Sequence, residues 1–138
     1  MSQENVDVVR RIYAASAARD PEKVLSLYDP EVEWDGSRHR WAEVLDAETK
    51  FRGHEQLRSF FRRYHEMWDT FEYDVEEVID AGEHIISVVT SRARGRSSGI
   101  EVEWAEQVAV WTIRDGRVVR VVWLPSREEA FEVVGLRE

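Results

Sequence analysis

The spacing of apolar residues changes period along this chain, and each change marks a new element. From Val6 to Ala18, Val6, Val9, Tyr13 and Ala17 recur at helical offsets, with Val8, Ile12 and Ala15 widening the stripe, which predicts a broadly packed amphipathic helix. Asp20-Pro21 supplies a cap oxygen and then a proline at the first helical position, where its missing N–H costs nothing. Val24, Leu25, Leu27 and Tyr28 give this second helix its apolar face, and Asp29-Pro30 ends it. Val32 and Trp34 alternate with Glu31, Glu33 and Asp35 as a short strand, and the polar run Gly36 to Arg52 reads as a loop. A third helix spans about His54 to Trp68, its Leu57, Phe60, Phe61, Tyr64, Met67 and Trp68 forming a strongly aromatic face.

Period two then takes over. Phe71, Tyr73 and Val75 alternate with Glu72, Asp74 and Glu76, and a slip at Glu77-Val78-Ile79 predicts a bulge that bends the strand before the Asp80-Ala81-Gly82 turn. Further strands cover His84 to Arg96, Ile100 to Arg114 and Val118 to Leu124, joined by a flexible tip at Gly95 to Gly99 and by the turn Arg114-Asp115-Gly116-Arg117. Asp-Gly between two β-branched runs is a strong hairpin signal, because glycine takes positive φ without a Cβ clash. After Pro125, Ser126-Arg127-Glu128-Glu129 is a capping box, and the helix it opens, stopped by Gly135, is placed to close one end of the sheet. Helices first and a meandering sheet afterwards predict a single α+β domain over residues 1–138.

Composition narrows the partners. A net charge of −9 lacks the concentrated positive surface that nucleic acid or an anionic membrane demands, and no run of 18 apolar residues or basic leader pattern occurs, so a cytoplasmic protein is expected. Zero cysteines remove disulfides and thiolate chemistry. His39, His54, His65 and His84 form no His-x-His or His-Glu-x-x-His spacing, and His65 falls off the aromatic stripe, so no metal is expected. Gly-x-Gly-x-x-Gly, Walker and Gly-x-Ser-x-Gly sequences are also missing, and no cofactor is implied.

Several stretches carry a resemblance. Val8-Val9-Arg10-Arg11-Ile12-Tyr13, Arg19-Asp20-Pro21, Leu27-Tyr28-Asp29-Pro30-Glu31-Val32-Glu33-Trp34, Phe51-Arg52-Gly53-His54-Glu55 and Trp111-Thr112-Ile113-Arg114-Asp115-Gly116-Arg117 stand in an order that resembles the nuclear transport factor 2-like superfamily, in its SnoaL-like branch of polyketide-cyclase and ketosteroid-isomerase relatives. The resemblance implies a cone-shaped, curved mixed β-sheet wrapped around three N-terminal helices, with a short C-terminal helix and an apolar pocket open at one end. It also implies a homodimer through the convex sheet face. Relatives include isomerases, cyclases, dehydratases, epoxide hydrolases and noncatalytic proteins, so membership carries no activity with it.

Six tryptophans in 138 residues support a pocket for a small apolar or aromatic molecule, since aromatic side chains offer large area of fixed shape, although plain core packing accounts for them equally well. The expected lining takes Trp34, Phe60, Tyr64 and Trp68 from the first half of the chain and Trp111, Val121 and Trp123 from the last strands. Alternation puts Val119, Val121 and Trp123 on one sheet face, and likewise Gln107, Ala109, Trp111 and Ile113 on one face of the neighbouring strand. By resemblance to ketosteroid isomerase these odd positions look inward, and the even set Val102, Trp104, Val108 and Val110 lies convex, in the dimer face. The same resemblance offers Asp35 as general base, with an ordinary solvated aspartate as the alternative. The isomerase tyrosine falls at Ile12, one place from Tyr13, and Ala109 or a neighbour takes the place of the second acid, so the two-donor oxyanion site is doubtful. Tyr13 or Gln107 is then left to stabilise developing charge. Gln107 in an apolar strand holds a ligand carbonyl or bonds Tyr13 or Tyr64. Arg92, Arg94 and Arg96 share one face of their strand and are expected to pair across strands with Glu101 and Glu103, with an anionic-ligand site as the lesser alternative. A noncatalytic binding protein and a dimeric module filled by its own side chains are the competing readings, and a cavity below roughly 300 Å³ favours the module.

Overall fold

The computed structural model describes residues 2–38 and 49–135, Ser2 by its backbone alone; His39, Trp41 and most of the expected loop lie outside these. Helix α1 (Ser2–Ala17) ends in a Schellman motif, Asp20 N–H donating to Ala15 O at 3.0 Å and Arg19 N–H to Ser16 O at 3.1 Å, with Arg19 itself at φ +56°. Helix α2 (Pro21–Ser26) is capped by Asp20, whose side chain accepts from the Lys23 N–H. It is shorter than expected, because Tyr28 already belongs to strand β1 (Tyr28–Asp35). The end of the expected loop is also a strand, β2 (Lys50–Arg52), paired antiparallel to β1 and leading directly into α3 (Gly53–Met67).

Four long strands follow: β3 (Trp68–Ala81), β4 (His84–Gly95), β5 (Glu101–Arg114) and β6 (Arg117–Leu124), with α4 (Arg127–Val134) last. The six strands form one curved open sheet in the order β2-β1-β6-β5-β4-β3, antiparallel except for the parallel pair β1–β6. The mixed α+β expectation therefore holds, with helices on the inner face of a curved sheet. Asp115 and Gly116 both adopt positive φ, +52° and +77°, the type I′ geometry whose twist matches the strands it joins.

Each face of the sheet buries its own apolar cluster. The inner one joins α1, α2 and α3 to the concave face through Val9, Ile12, Leu25, Leu57, Val89 and Trp111. The outer one packs Ala130, Phe131 and Val134 of α4 on Ile86, Val88, Val108, Val110, Val122 and Leu124. Helix α4 therefore covers part of the convex face instead of closing an end, and Val108 and Val110 are buried beneath it. Ser126 caps α4 by accepting from Glu129 N–H, but the reciprocal half of the capping box is absent from the observed bonds, Glu129 Oε1 accepting from Arg38.

Bulges decide which residues face inward. Glu106 sits at φ +49°, where β5 slips against β4. Trp104 consequently pairs with Ser91 and packs on Trp68 and Phe71, and Val102 lies opposite Ala93, so both leave the convex set expected of them. A second slip at Val119 puts Val118, not Val119, in the inner cluster beside Val121 and Trp123. The bend expected near Glu77 comes one residue earlier, between Val75 and Glu77. Arg92 and Arg94 do lie opposite Glu103 and Glu101, yet their ion pairs run to β3: Arg92 to Asp74 at 2.7 Å and Arg94 to Asp69 at 3.0 Å. No helix among the described residues is long and apolar enough to cross a membrane.

Candidate functional site

Among the described residues three polar side chains are buried, Ser87, Ser91 and Gln107, and all three stand on the concave faces of β4 and β5. Burial without a partner costs each of them, so their bonds define the site. Ser87 Oγ accepts from the Trp111 indole Nε1–H at 2.8 Å and lies 2.9 Å from the Tyr13 hydroxyl. The Ser91 hydroxyl donates to Gln107 Oε1. Gln107 Nε2 has no partner among the described residues, although the side chain is only 2% exposed.

Of these groups Gln107, Tyr13 and Trp111 border a cavity enclosed by α1, α2, α3 and the sheet, and Ser87 and Ser91 stand behind them. Tyr13, Trp34, Trp111, Trp123 and Gln107 line its inner part. Phe60, Phe61, Tyr64 and Phe71 line it from α3 and β3, and Arg19, Asp20, Pro21 and His65 complete it at the α1–α2 turn and the end of α3. The rings brace one another edge-on: Tyr13 on Trp111 with centroids 5.9 Å apart, Trp111 on Trp123 at 5.9 Å, and Tyr13 on Tyr73 at 5.3 Å. The hollow measures about 80 Å³. That is well under the roughly 300 Å³ at which sites for drug-sized ligands begin. By the size criterion, this counts toward a self-filled interior.

Burial pushes the hydroxyls of Tyr13, Tyr28, Tyr64 and Tyr73 well above the ordinary tyrosine pKa, so each is a neutral phenol at any physiological pH. At His65, burial and then the neighbouring Arg19 charge hold the imidazole below its usual pKa.

Of the residues expected here, Tyr13, Gln107, Trp34, Phe60, Tyr64, Trp111 and Trp123 line the cavity. Val121 is fully buried in the core but not in the lining, and Trp68 packs behind Tyr64 and against Trp104. Asp35 is misplaced by the expectation. Because Trp34 faces inward opposite Val121, Asp35 faces outward opposite Val122 of the convex cluster. Partial burial raises its pKa, but hydrogen bonds from the Ser37 hydroxyl at 2.6 Å and backbone N–H at 2.9 Å, with Lys50 and Arg120 nearby, outweigh that and hold it below the usual value. An outward carboxylate stabilised as its anion is no base for the cavity.

Ser87, Ser91 and Arg19 were missed from the sequence, and His65, expected off the aromatic stripe, lines the cavity instead. Serine in a strand carries no signal until its cross-strand neighbours are known. His54 plays a packing role, its Nε2 lying 2.9 Å from Tyr28 O, and His84 Nδ1 lies 3.0 Å from Thr112 Oγ1. Among the described residues no cluster of histidine and carboxylate side chains could hold a metal ion.

Comparison with known proteins agrees with this fold. An NTF2-like protein of unknown function from Burkholderia pseudomallei is 24% identical, with a TM-score of 0.77 over 95% of this chain and 97% of that one. TerC, solved in a co-crystal with polyporic acid, is 21% identical with a TM-score of 0.76, over 96% and 98% of the two chains. An LEH-like epoxide hydrolase of Mycobacterium tuberculosis is 14% identical, with a TM-score of 0.72 over 96% and 90%. At such identities the likeness is one of fold. No curated protein matches the sequence. The family model of the SnoaL-like domain matches residues 9–121, and the chain belongs to that family.

Proposed function

We propose that the cavity receives a compact apolar or aromatic carbonyl compound, and that Gln107 Nε2 donates to its carbonyl oxygen. The observation that carries this reading is the amide nitrogen buried in an aromatic lining with no partner among the described residues. A buried unsatisfied donor costs about 1–3 kcal/mol, which a guest carbonyl would offset. The hollow's about 80 Å³ suits part of a ring, so a benzenoid guest needs one half-buried ring at the rim, Phe61 or Tyr64, to swing aside. Binding is the reading retained over proton transfer: with Asp35 on the outer face, the carboxylate left in the described lining is Asp20, already committed to the α2 N-terminus.

Acetophenone and ethylbenzene have nearly the same shape and differ in the carbonyl, so titrating both by tryptophan fluorescence tests the proposal. Acetophenone is expected to bind about 10-fold more tightly, a difference of about 1.4 kcal/mol that Gln107→Leu erases. Equal binding of both by the parent protein refutes the role of Gln107. The small volume favours a second reading, an interaction module with its interior filled, under which neither compound binds. A homodimer across the convex face would have the charged strip of Glu72, Asp74, Arg92 and Glu103 among the surfaces that α4 does not cover.

A further inference from the structure

A second hollow, an open groove of about 520 Å³, continues from the cavity and shares Arg19, Pro21 and His65 with it. Its remaining walls are Arg58, Arg62, Arg96, Glu22 and Glu66, so four arginines face two glutamates in a chain whose net charge is −9. The arginines are not equivalent. Arg58 is neutralised by Glu22 at 2.8 Å and by Glu55. Arg19 and Arg96 converge on the carbonyl end of α3: Arg19 donates to the carbonyls of His65, Trp68 and Asp69, and Arg96 to those of Glu66, His65 and Trp68. Arg96 also lies 3.6 Å from Asp69. The two guanidinium groups thus cancel the negative end of the helix dipole that would otherwise repel an anion from the groove. Arg19 does so from a left-handed backbone, a conformation that disfavours any side chain and that glycine would adopt without strain.

Arg62 has no such employment. It is exposed, one turn from Arg58 on the same helix face, and makes no hydrogen bond or ion pair among the described residues. With His65 held neutral by burial and by Arg19, the positive charge of the groove is the arginines' alone.

From this juxtaposition we infer that the groove is the head-group subsite of the aromatic cavity: Arg62, with Arg19 behind it, binds a compact oxyanion, a carboxylate or phosphate ester, borne by the molecule whose apolar part enters the cavity. The inference rests on the cavity being a binding site. Arginine presents a planar fork of donors that matches either head group, and such charge-assisted bonds are among the stronger polar contacts. Glu22 and Glu66 set the selectivity against a second negative charge.

The test titrates the full chain with phenylacetate, phenyl phosphate and neutral phenylacetamide in low salt. At least one anion is expected to bind about 10-fold more tightly than phenylacetamide, the tighter one identifying the head group. That advantage should shrink in 0.5 M salt and vanish in Arg62→Gln, with phenylacetamide binding unchanged by the substitution. Equal binding of all three refutes the subsite while leaving the cavity reading intact, and binding of none refutes both. An advantage that survives Arg62→Gln, or a loss of phenylacetamide binding in that variant, also refutes the assignment. Circular dichroism confirms that this exposed substitution leaves the fold in place.

Discussion

Replacing Ser91 by alanine removes the hydroxyl that bonds Gln107 Oε1. The amide is then buried with neither end partnered among the described residues, since Nε2 already lacks a partner. A newly unsatisfied buried polar group costs about 1–3 kcal/mol. Unfolding entropy near 2.1 cal/mol/K per residue makes 1 kcal/mol worth about 3–4 °C in a domain of this size. Ser91→Ala should therefore lower Tm by about 4–10 °C. Adding Gln107→Leu removes both orphaned ends and substitutes an apolar side chain of similar size, a change that is near neutral or stabilising when both partners go together. The double variant should recover at least about 4 °C over the single one, measured by calorimetry without ligand. A double variant as unstable as Ser91→Ala alone would show that the amide nitrogen is satisfied in the folded protein, and the argument from an unpartnered donor would fail.

Further outcomes follow from the same geometry. Asp35→Asn should leave acetophenone affinity unchanged within about 2-fold, since the carboxylate faces away from the cavity; a loss of binding would return Asp35 to the site. Because its folded pKa is lowered, Asp35 contributes stability that is present above its ordinary value near 3.9 and lost as pH falls through the folded value, so the asparagine variant should flatten the acid limb of a urea-stability profile. The pKa of His65 is also lowered, so the unfolded chain binds more protons just below pH 6.5 and stability falls as pH drops through that range. His65→Gln should remove that slope, and an unchanged slope would place its origin elsewhere. A homodimer on the charged convex strip should dissociate as salt rises from 50 mM to 0.5 M in sedimentation velocity, because exposed ion pairs are screened; a salt-insensitive dimer would point to an apolar interface instead.

Elements with local chemistry were legible in the sequence. The Asp115-Gly116 hairpin, the Asp20 cap and the aromatic face of α3 depend on residues within a few positions of one another, whereas the inward orientation of Gln107 was read from strand alternation together with the family resemblance. Trp104 and Val102 were misplaced because Glu106 takes positive φ without a glycine to announce it. The placement of Asp35 was recoverable, since a strand that turns Trp34 inward must turn its neighbour outward. Arg19 and His65 were not, because their meeting depends on how the end of α1 docks against the end of α3.

The central claim is that the aromatic hollow admits a guest, and the tryptophan indole N–H resonances of a ¹⁵N-labelled sample report on it directly. Titration with acetophenone should shift those of the lining residues Trp34, Trp111 and Trp123 well beyond those of Trp68 and Trp104, which lie outside the lining. If none of the three moves at millimolar acetophenone, or if Trp68 and Trp104 move instead, the hollow is not a binding site.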